Sequence, residues 1–112
     1  HHPPIITGLE KMDIQNLRDS AELKEILSAH TGELKLICGH VHRNIVGQFG
    51  NKLCQVAPGV SHAVTMDLRI GAPNCLTKEP GGILLHEIRG GIMSHHILVG
   101  RYPGPFLFYP DK

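Results

Sequence analysis

The feature that most constrains this chain is a short apolar run that ends in a glycine and two histidines. The run is Leu34 to Cys38, and Gly39-His40-Val41-His42-Arg43 follows it directly. A short apolar run after a helical pattern is typical of a buried strand in an αβ unit. Open α/β sheets place their sites beyond the carboxyl ends of the strands. The sequence therefore predicts a strand that delivers His40 and His42 to a site.

The two histidines are candidate metal ligands, because neutral imidazole is the commonest side-chain metal ligand. Alternate residues of an extended segment face the same way, so we expect His40 and His42 to approach one site, with Gly39 leaving room for close backbone approach. His-x-His alone also fits a simpler interpretation, with one histidine in solvent and one packed. A second cluster, His1-His2-Pro3-Pro4, favours the metal hypothesis, although a His-rich start is also typical of a purification tag.

Composition limits the class of protein. The 112 residues fit one domain, 1–112, and 41% hydrophobic against 19% charged residues is typical of a folded chain. The formal charge of +1, without a Lys/Arg cluster, argues against a nucleic-acid polymer as partner. Three dispersed cysteines without C-x-x-C argue against a disulfide framework and favour a cytoplasmic location. No apolar stretch approaches the ~20 residues that cross a bilayer, so no membrane partner is expected.

The pattern along the chain predicts an α/β fold: one main helix, one buried strand, then mostly antiparallel strands and hairpins. Within 10–30, Asp13 is expected to start an early turn and Asp19 or Ser20 to cap the main helix, whose buried face would include Leu23, Ile26 and Leu27. The remaining predictions are a strand at 34–38, a hairpin of 44–49 and 52–56, a strand at 61–68, a loop at 69–80, and a hairpin of 82–88 and 92–99. The aromatic tail, 101–112, is expected to pack on the body or on a partner.

Other histidines are weaker site candidates. His62 lies in a loop that enters a predicted strand, and with His2 and Arg43 it is a candidate for the lining of a substrate pocket. His2 is the less favoured ligand, since it is adjacent to His1 and is expected to point elsewhere. Adjacent strand residues face opposite sides, so a shared site in the last hairpin is not expected. Its three histidines are expected to be exposed or hydrogen-bonded within the protein: His86, His95 and His96.

Acidic ligands are harder to find. A hydrolytic two-metal centre needs carboxylates that bridge the ions and offset their charge. No ligand motif surrounds any of the four aspartates that we considered: Asp13, Asp19, Asp67 and Asp111. Three imidazoles without acids can hold a single zinc ion, but they do not make a two-metal phosphoesterase.

Taken together, these segments resemble the C-terminal half of the calcineurin-like metallophosphoesterases, most of all the bacterial class III cyclic-nucleotide phosphodiesterases. The resemblance rests on His1-His2-Pro3-Pro4, the capped helix, the short strand and Gly39-His40-Val41-His42-Arg43; the segments 56–62 and 81–86 resemble the same subgroup. It implies the C-terminal half of a four-layer αββα sandwich with a two-metal centre between the sheets. It also implies that His1 and His40 bind one metal and that His42 binds the other.

The resemblance further implies two transition-metal ions (Mn, Fe or Zn) and hydrolysis of phosphoesters, including 3′,5′-cyclic nucleotides, by a metal-activated hydroxide. Three family motifs do not occur in the chain: Asp-x-His, Gly-Asp and Gly-Asn-His-Asp/Glu. With them are missing the bridging aspartate, the asparagine ligand and the leaving-group histidine, so no catalytic residue is identified here.

Three hypotheses follow from these motifs. In the first, the chain is one part of a phosphodiesterase, inactive alone, holding one metal ion or none, completed by a missing N-terminal half and expected to form a homo-oligomer. The second is a stand-alone metal-binding or interaction module without catalysis. The third is a structural module whose histidines are not ligands.

Overall fold

The computed structural model describes residues 1–110, and Asp111 and the last residue of the predicted tail lie outside this range. The fold is α/β, as predicted, with two short helices and seven strands in three small sheets among the described residues. In chain order the elements are α1 (Glu10–Asp13), α2 (Ser20–Ser28), β1 (Lys35–Cys38), β2 (Ile45–Phe49), β3 (Lys52–Val56), β4 (Ala63–Val64), β5 (Leu76–Thr77), β6 (Gly82–Ile88) and β7 (Ile92–Leu98).

The main sheet has the strand order β1-β3-β2, and it positions the histidine loop. Strand β1 is parallel to β3, whereas β2 and β3 form an antiparallel hairpin around Gly50 and Asn51. Gly50 has a φ of 62°, which glycine adopts without the steric cost that a Cβ would add. The predicted strand after the helix and the predicted first hairpin are both confirmed.

One face of this sheet forms the core and the other does not. The buried cluster on the core face contains Ile5, Leu9, Met12, Val41, Phe49, Cys54 and Val56. On the opposite face, Ile37 is 56% exposed, Val46 60% and Leu53 49%. The prediction of a buried β1 is therefore wrong at Ile37, because this face is covered only in part, at Gln55, which is 5% exposed.

The described chain is a flat slab of 57 × 40 × 19 Å. Its Cα radius of gyration is 16.9 Å, against about 13 Å for a compact domain of this size. The slab therefore leaves much apolar surface in solvent.

The helical segment differs from the prediction. The early turn and the main helix are both present, as α1 and α2, but Asp13 ends α1 instead of starting a turn. Asp19 occupies the N-cap position of α2, but its side chain makes no capping hydrogen bond. Ile26 is 68% exposed, so the predicted buried face is wrong at that position, while Leu23 and Leu27 pack partly against the core.

Asp13 has a structural role that its sequence position did not reveal. Its Oδ1 accepts hydrogen bonds from the Thr7 amide (2.9 Å) and hydroxyl (2.8 Å), and its Oδ2 accepts one from the Gly8 amide (3.0 Å). The carboxylate thus ties the start of the chain to α1.

We expect Asp13→Ala to lower the free energy of unfolding by about 2 kcal/mol, because hydrogen bonds to a charged acceptor are lost and two amides are left unpaired. Urea unfolding followed by circular dichroism measures the change. Asp19→Ala is the matched control and should change the value by less than ~0.5 kcal/mol, since Asp19 makes no side-chain cap. Equal losses in both variants would contradict this role for Asp13.

The second half of the chain is mostly antiparallel, as predicted. The strand predicted at 61–68 is reduced to β4, which pairs with β5 inside the predicted loop 69–80. The late hairpin of β6 and β7 is confirmed. Up to residue 110 the tail does not pack on the body, because Phe106 is 79% exposed and Phe108 97% exposed; packing on a partner stays a prediction.

The longest helix of residues 1–110 has nine residues, and none of the helices there has the length and apolar character needed to cross a membrane.

Candidate metal centre and adjoining clefts

The loop after β1 presents two histidines from an unusual backbone. His40 has a φ of 74° and His42 a φ of 59°, both in the left-handed region. Val41 between them is completely buried, and its carbonyl accepts the Val64 amide at 3.3 Å. The segment is therefore not extended, so the strand alternation expected there is wrong, although His40 and His42 still line one cleft. Left-handed non-glycine residues cost ~1–3 kcal/mol each and cluster at functional sites.

His40 lies in a group of three imidazoles with His1 and His2, which we call the histidine trio. One ring nitrogen from each lies within 4.8 Å of the other two. His1 Nε2 and His40 Nδ1 are 3.3 Å apart. The Gly39 amide donates to the His1 carbonyl at 2.9 Å, so backbone contact holds the start of the chain beside the loop.

The trio fits a transition-metal ion. A tetrahedral ion with metal–nitrogen bonds of ~2.0–2.1 Å holds neighbouring nitrogens about 3.3 Å apart, which is the His1–His40 separation. The nitrogen that matches this spacing is His40 Nδ1; the other ring nitrogen, Nε2, is buried without a hydrogen-bond partner within residues 1–110. Desolvation, together with the positive charges that His2 and His42 can carry, lowers the pKa of His40. His40 is therefore neutral at pH 7, the form that binds metals.

His42 belongs to a second group, the histidine pair of His42 and His62. Their ring centroids are 4.5 Å apart. His42 Nδ1 lies 3.1 Å from the His62 carbonyl oxygen, which can only accept, so Nδ1 carries the proton and Nε2 keeps its lone pair. A backbone carbonyl in this position is how proteins commonly orient a metal-binding imidazole.

The trio and the pair meet at one open cavity of about 340 Å³, the first cleft, which His40, His42 and His62 line together with Met12, Val64, Asn74, Cys75 and Leu76. The structure thus brings His1 and His40 together as predicted, but it adds His2 to them. His42 lies with His62 farther along the cleft. Within the described residues, the first cleft has no aspartate or glutamate in its lining.

Arg43 leaves the first cleft and lines a second one. Its Nη2 donates to Glu79 Oε2 at 2.8 Å, and its Nε donates to the Val64 carbonyl. The second cleft measures about 170 Å³ and adjoins the first, since His42 and His62 line both; its other lining residues are Arg43, Asn44, Pro58, Gly59, Ala63, Glu79, Pro80 and His96.

Sequence reasoning missed Asn44, Glu79 and His96 as lining residues. His96 is exposed, as predicted, but its Nδ1 lies 3.2 Å from Asn44 Nδ2. Strand alternation places His96 on the same face of β7 as Ser94, and the Ser94 hydroxyl accepts a hydrogen bond from Lys35 Nζ of β1 at 2.6 Å. Both contacts attach the late hairpin to the main sheet.

Comparison with known proteins identifies relatives. No protein-family profile matches the chain. It is 36% identical over its whole length to a probable glycerophosphodiester phosphodiesterase of Arcobacter nitrofigilis, covering 42% of that protein. It is 34% identical over its whole length to a probable cyclic nucleotide phosphodiesterase of Rhodopseudomonas palustris, covering 41%. The chain therefore spans about two fifths of the length of these curated relatives, and they confirm the resemblance to bacterial phosphodiesterases.

Proposed function

This chain is a homologue of bacterial phosphodiesterases, and we propose that it is the histidine-bearing part of a metal-dependent phosphodiesterase. The observation that carries the proposal is the convergence of the histidine trio and the histidine pair on the first cleft. Members of both groups line a cavity that a phosphate group can enter.

In this proposal His1 and His40 hold one ion, with His2 beside them, and His42 holds the other. Manganese, iron and zinc all suit imidazole ligands. Such ions, when bound, polarise a phosphoryl oxygen and lower the pKa of water. The hydrogen bond from His42 Nδ1 to the His62 carbonyl keeps the His42 ring in the tautomer that binds through Nε2.

The substrate in this proposal is a small phosphodiester. The relatives' names point to glycerophosphodiesters and cyclic nucleotides as candidate classes. Arg43 has only 14% of its side chain exposed and is committed to Glu79 and to a backbone carbonyl, so its role is to shape the pocket and not to grip the phosphate. In the proposal His62, whose ring centroid is 4.5 Å from that of His42, contacts the phosphate.

We further propose that the chain works jointly with a segment that corresponds to the rest of these relatives. The first cleft lacks carboxylates in the described residues, so two dications there would have no bridging charge. The exposed face of the main sheet, with Ile37, Val46 and Leu53, is apolar surface for a second layer of an αββα sandwich. The exposed tail aromatics are a candidate surface for a second copy of the protein.

Activity of the full-length gene product on bis(4-nitrophenyl) phosphate with added Mn²⁺ tests the proposal. We expect turnover by the full-length product and a rate at least ~100-fold lower for residues 1–112 alone, because loss of even outer partners of metal ligands costs ~10–100-fold. Absence of turnover by the full-length product contradicts the proposed activity. Equal rates contradict the need for a completing segment.

A stand-alone metal-binding module is the second candidate, because the trio is assembled entirely from this chain. Metal analysis of residues 1–112 after gel filtration separates the two candidates. Stoichiometric metal together with an inactive full-length product would favour the module.

A further inference from the structure

We propose that Arg43 and Glu79 are positioning residues for His42: their ion pair holds the loop of residues 39–43 against β4, so that the His42 ring keeps the orientation and tautomer that bind a metal ion. The inference rests on the proposed function, which makes His42 a ligand. It adds two residues that act through His42 and touch neither the ion nor the substrate.

Hydrogen bonds tie this loop to β4 on both sides of His42. The Val41 carbonyl accepts the Val64 amide at 3.3 Å, and Arg43 Nε donates to the Val64 carbonyl. Between these two contacts, His42 Nδ1 lies 3.1 Å from the carbonyl oxygen of His62. The bond that fixes the His42 ring therefore depends on how the loop is held against residues 62–64.

Strand β4 is too short to be held by its backbone pairing alone. It has two residues, and it pairs with the two residues of β5 in a sheet of two strands. A two-stranded sheet is marginally stable at best in water. Glu79 follows the end of β5 by two residues, and its Oε2 accepts from Arg43 Nη2 at 2.8 Å. The guanidinium of Arg43 thus joins the loop, β4 and the segment after β5.

The chemistry of the pair suits this role. A guanidinium presents its donors in a rigid planar fork, so one group can bond a carbonyl and a carboxylate at the same time. The Arg43 side chain is largely buried, whereas that of Arg69, which pairs with Asp67, is mostly exposed and joins residues only two apart in the chain. Glu79 also offsets the charge of Arg43, which would otherwise repel a cation bound at the neighbouring His42.

The tautomer of His42 reports the positioning without metal and without turnover. In nitrogen NMR spectra of the metal-free full-length gene product with isotopically labelled histidine, at a pH where the rings are neutral, we expect His42 to carry its proton on Nδ1. His42→Gln assigns the signal. Arg43→Met is expected to give a mixture of both tautomers, because the ring loses its fixed acceptor. Arg69→Met, which breaks an exposed ion pair, is the matched control and should leave the His42 signal unchanged.

Metal affinity separates positioning from a general loss of structure. In the proposed function, His1 and His40 hold one ion without help from Arg43, and His42 holds the other. Calorimetric titration of the full-length product with Mn²⁺ is expected to show at least ~tenfold weaker binding of one ion in Arg43→Met, and less than ~threefold change for the other, since outer partners of metal ligands contribute ~10–100-fold. An equal fall for both ions, or no fall for either, overturns the inference.

Glu79→Gln gives a second and milder test. It removes the charge of the carboxylate and leaves the bond from Arg43 to the Val64 carbonyl in place, so it decides the question if Arg43→Met does not fold. We expect a smaller shift of His42 toward the mixture of tautomers than in Arg43→Met. If the full-length product neither binds metal nor hydrolyses phosphodiesters, the proposed function has failed, and the tautomer still decides the inference. A His42 signal that is the same in wild type and in the folded variants overturns it.

Discussion

Replacing His40 by glycine is expected to lower the affinity of the full-length gene product for Mn²⁺ or Zn²⁺ at least ~100-fold, because the loss of outer partners alone costs ~10–100-fold. His40 Nδ1 lies 3.3 Å from His1 Nε2, the spacing of two nitrogens bound to one tetrahedral ion. Glycine is chosen over alanine because it accepts the φ of 74° at this position without strain. The variant thus removes the imidazole and leaves the backbone conformation at position 40 unchanged.

The loss of affinity is measured by metal content, using mass spectrometry, and by the increase in the free energy of unfolding that added metal produces. A metal at 100 times its Kd stabilises the folded protein by about 2.7 kcal/mol, which the variant should lose. His95→Ala is the control, since His95 is exposed, is not a member of the trio and lines neither cleft, and this variant should retain metal content. Equal metal content in wild type and His40→Gly would remove His40 from the ligand set.

Local sequence signals correctly predicted the hairpins, in which each strand pairs with the next strand along the chain. The first hairpin follows from Gly50 and Asn51 between two apolar runs, and the late hairpin from Gly90 and Gly91. The strand predicted at 61–68 failed for the opposite reason. Only Ala63 and Val64 find a partner, in β5, and alternation along one segment does not reveal how far a distant partner extends.

Burial was less predictable than secondary structure. The hydrophobic pattern predicts that the side chains of Ile26 and Ile37 are buried, yet both are largely exposed in the described chain. Whether an apolar position is buried depends on what packs against it, and the pattern of one element does not specify that neighbour. Ile26 and Ile37 lie on surfaces that the proposed completing segment would bury.

The sequence predicted which histidines belong to the candidate site. It did not predict which of them lie next to each other. His1 and His40 were expected together and lie together, but the left-handed backbone turns His42 toward His62 and leaves His2 beside His40. The left-handed backbone at His40 and His42, on either side of the buried Val41, accompanies this arrangement. The spacing of two histidines in the sequence does not encode it.

Gly59 shows where close packing supports the site. A Cβ there would lie 2.7 Å from His42 Cγ and 2.7 Å from the His62 carbonyl oxygen. The Gly59 carbonyl also accepts the Gly82 amide at 3.0 Å, which attaches the late hairpin to this loop. Gly39 was expected to be the glycine that allows close approach. That expectation is wrong, because a Cβ on Gly39 would meet His1 Nδ1 at 3.6 Å, an ordinary contact.

We therefore expect Gly59→Ala to lower kcat/KM of the full-length product for bis(4-nitrophenyl) phosphate about 100-fold, because a displacement of ~1 Å at a reacting centre can cost that much. Overpacking should also lower the free energy of unfolding by ~1–3 kcal/mol. Gly39→Ala is the matched control: it adds the same methyl group beside the same site at a position without a clash, and kcat/KM should fall less than ~threefold. Neither glycine has a positive φ, so the comparison isolates steric displacement of the His42 ring from backbone strain. Equal losses of kcat/KM in Gly59→Ala and Gly39→Ala would contradict the prediction. They would show that the close packing of Gly59 on His42 is not needed for activity.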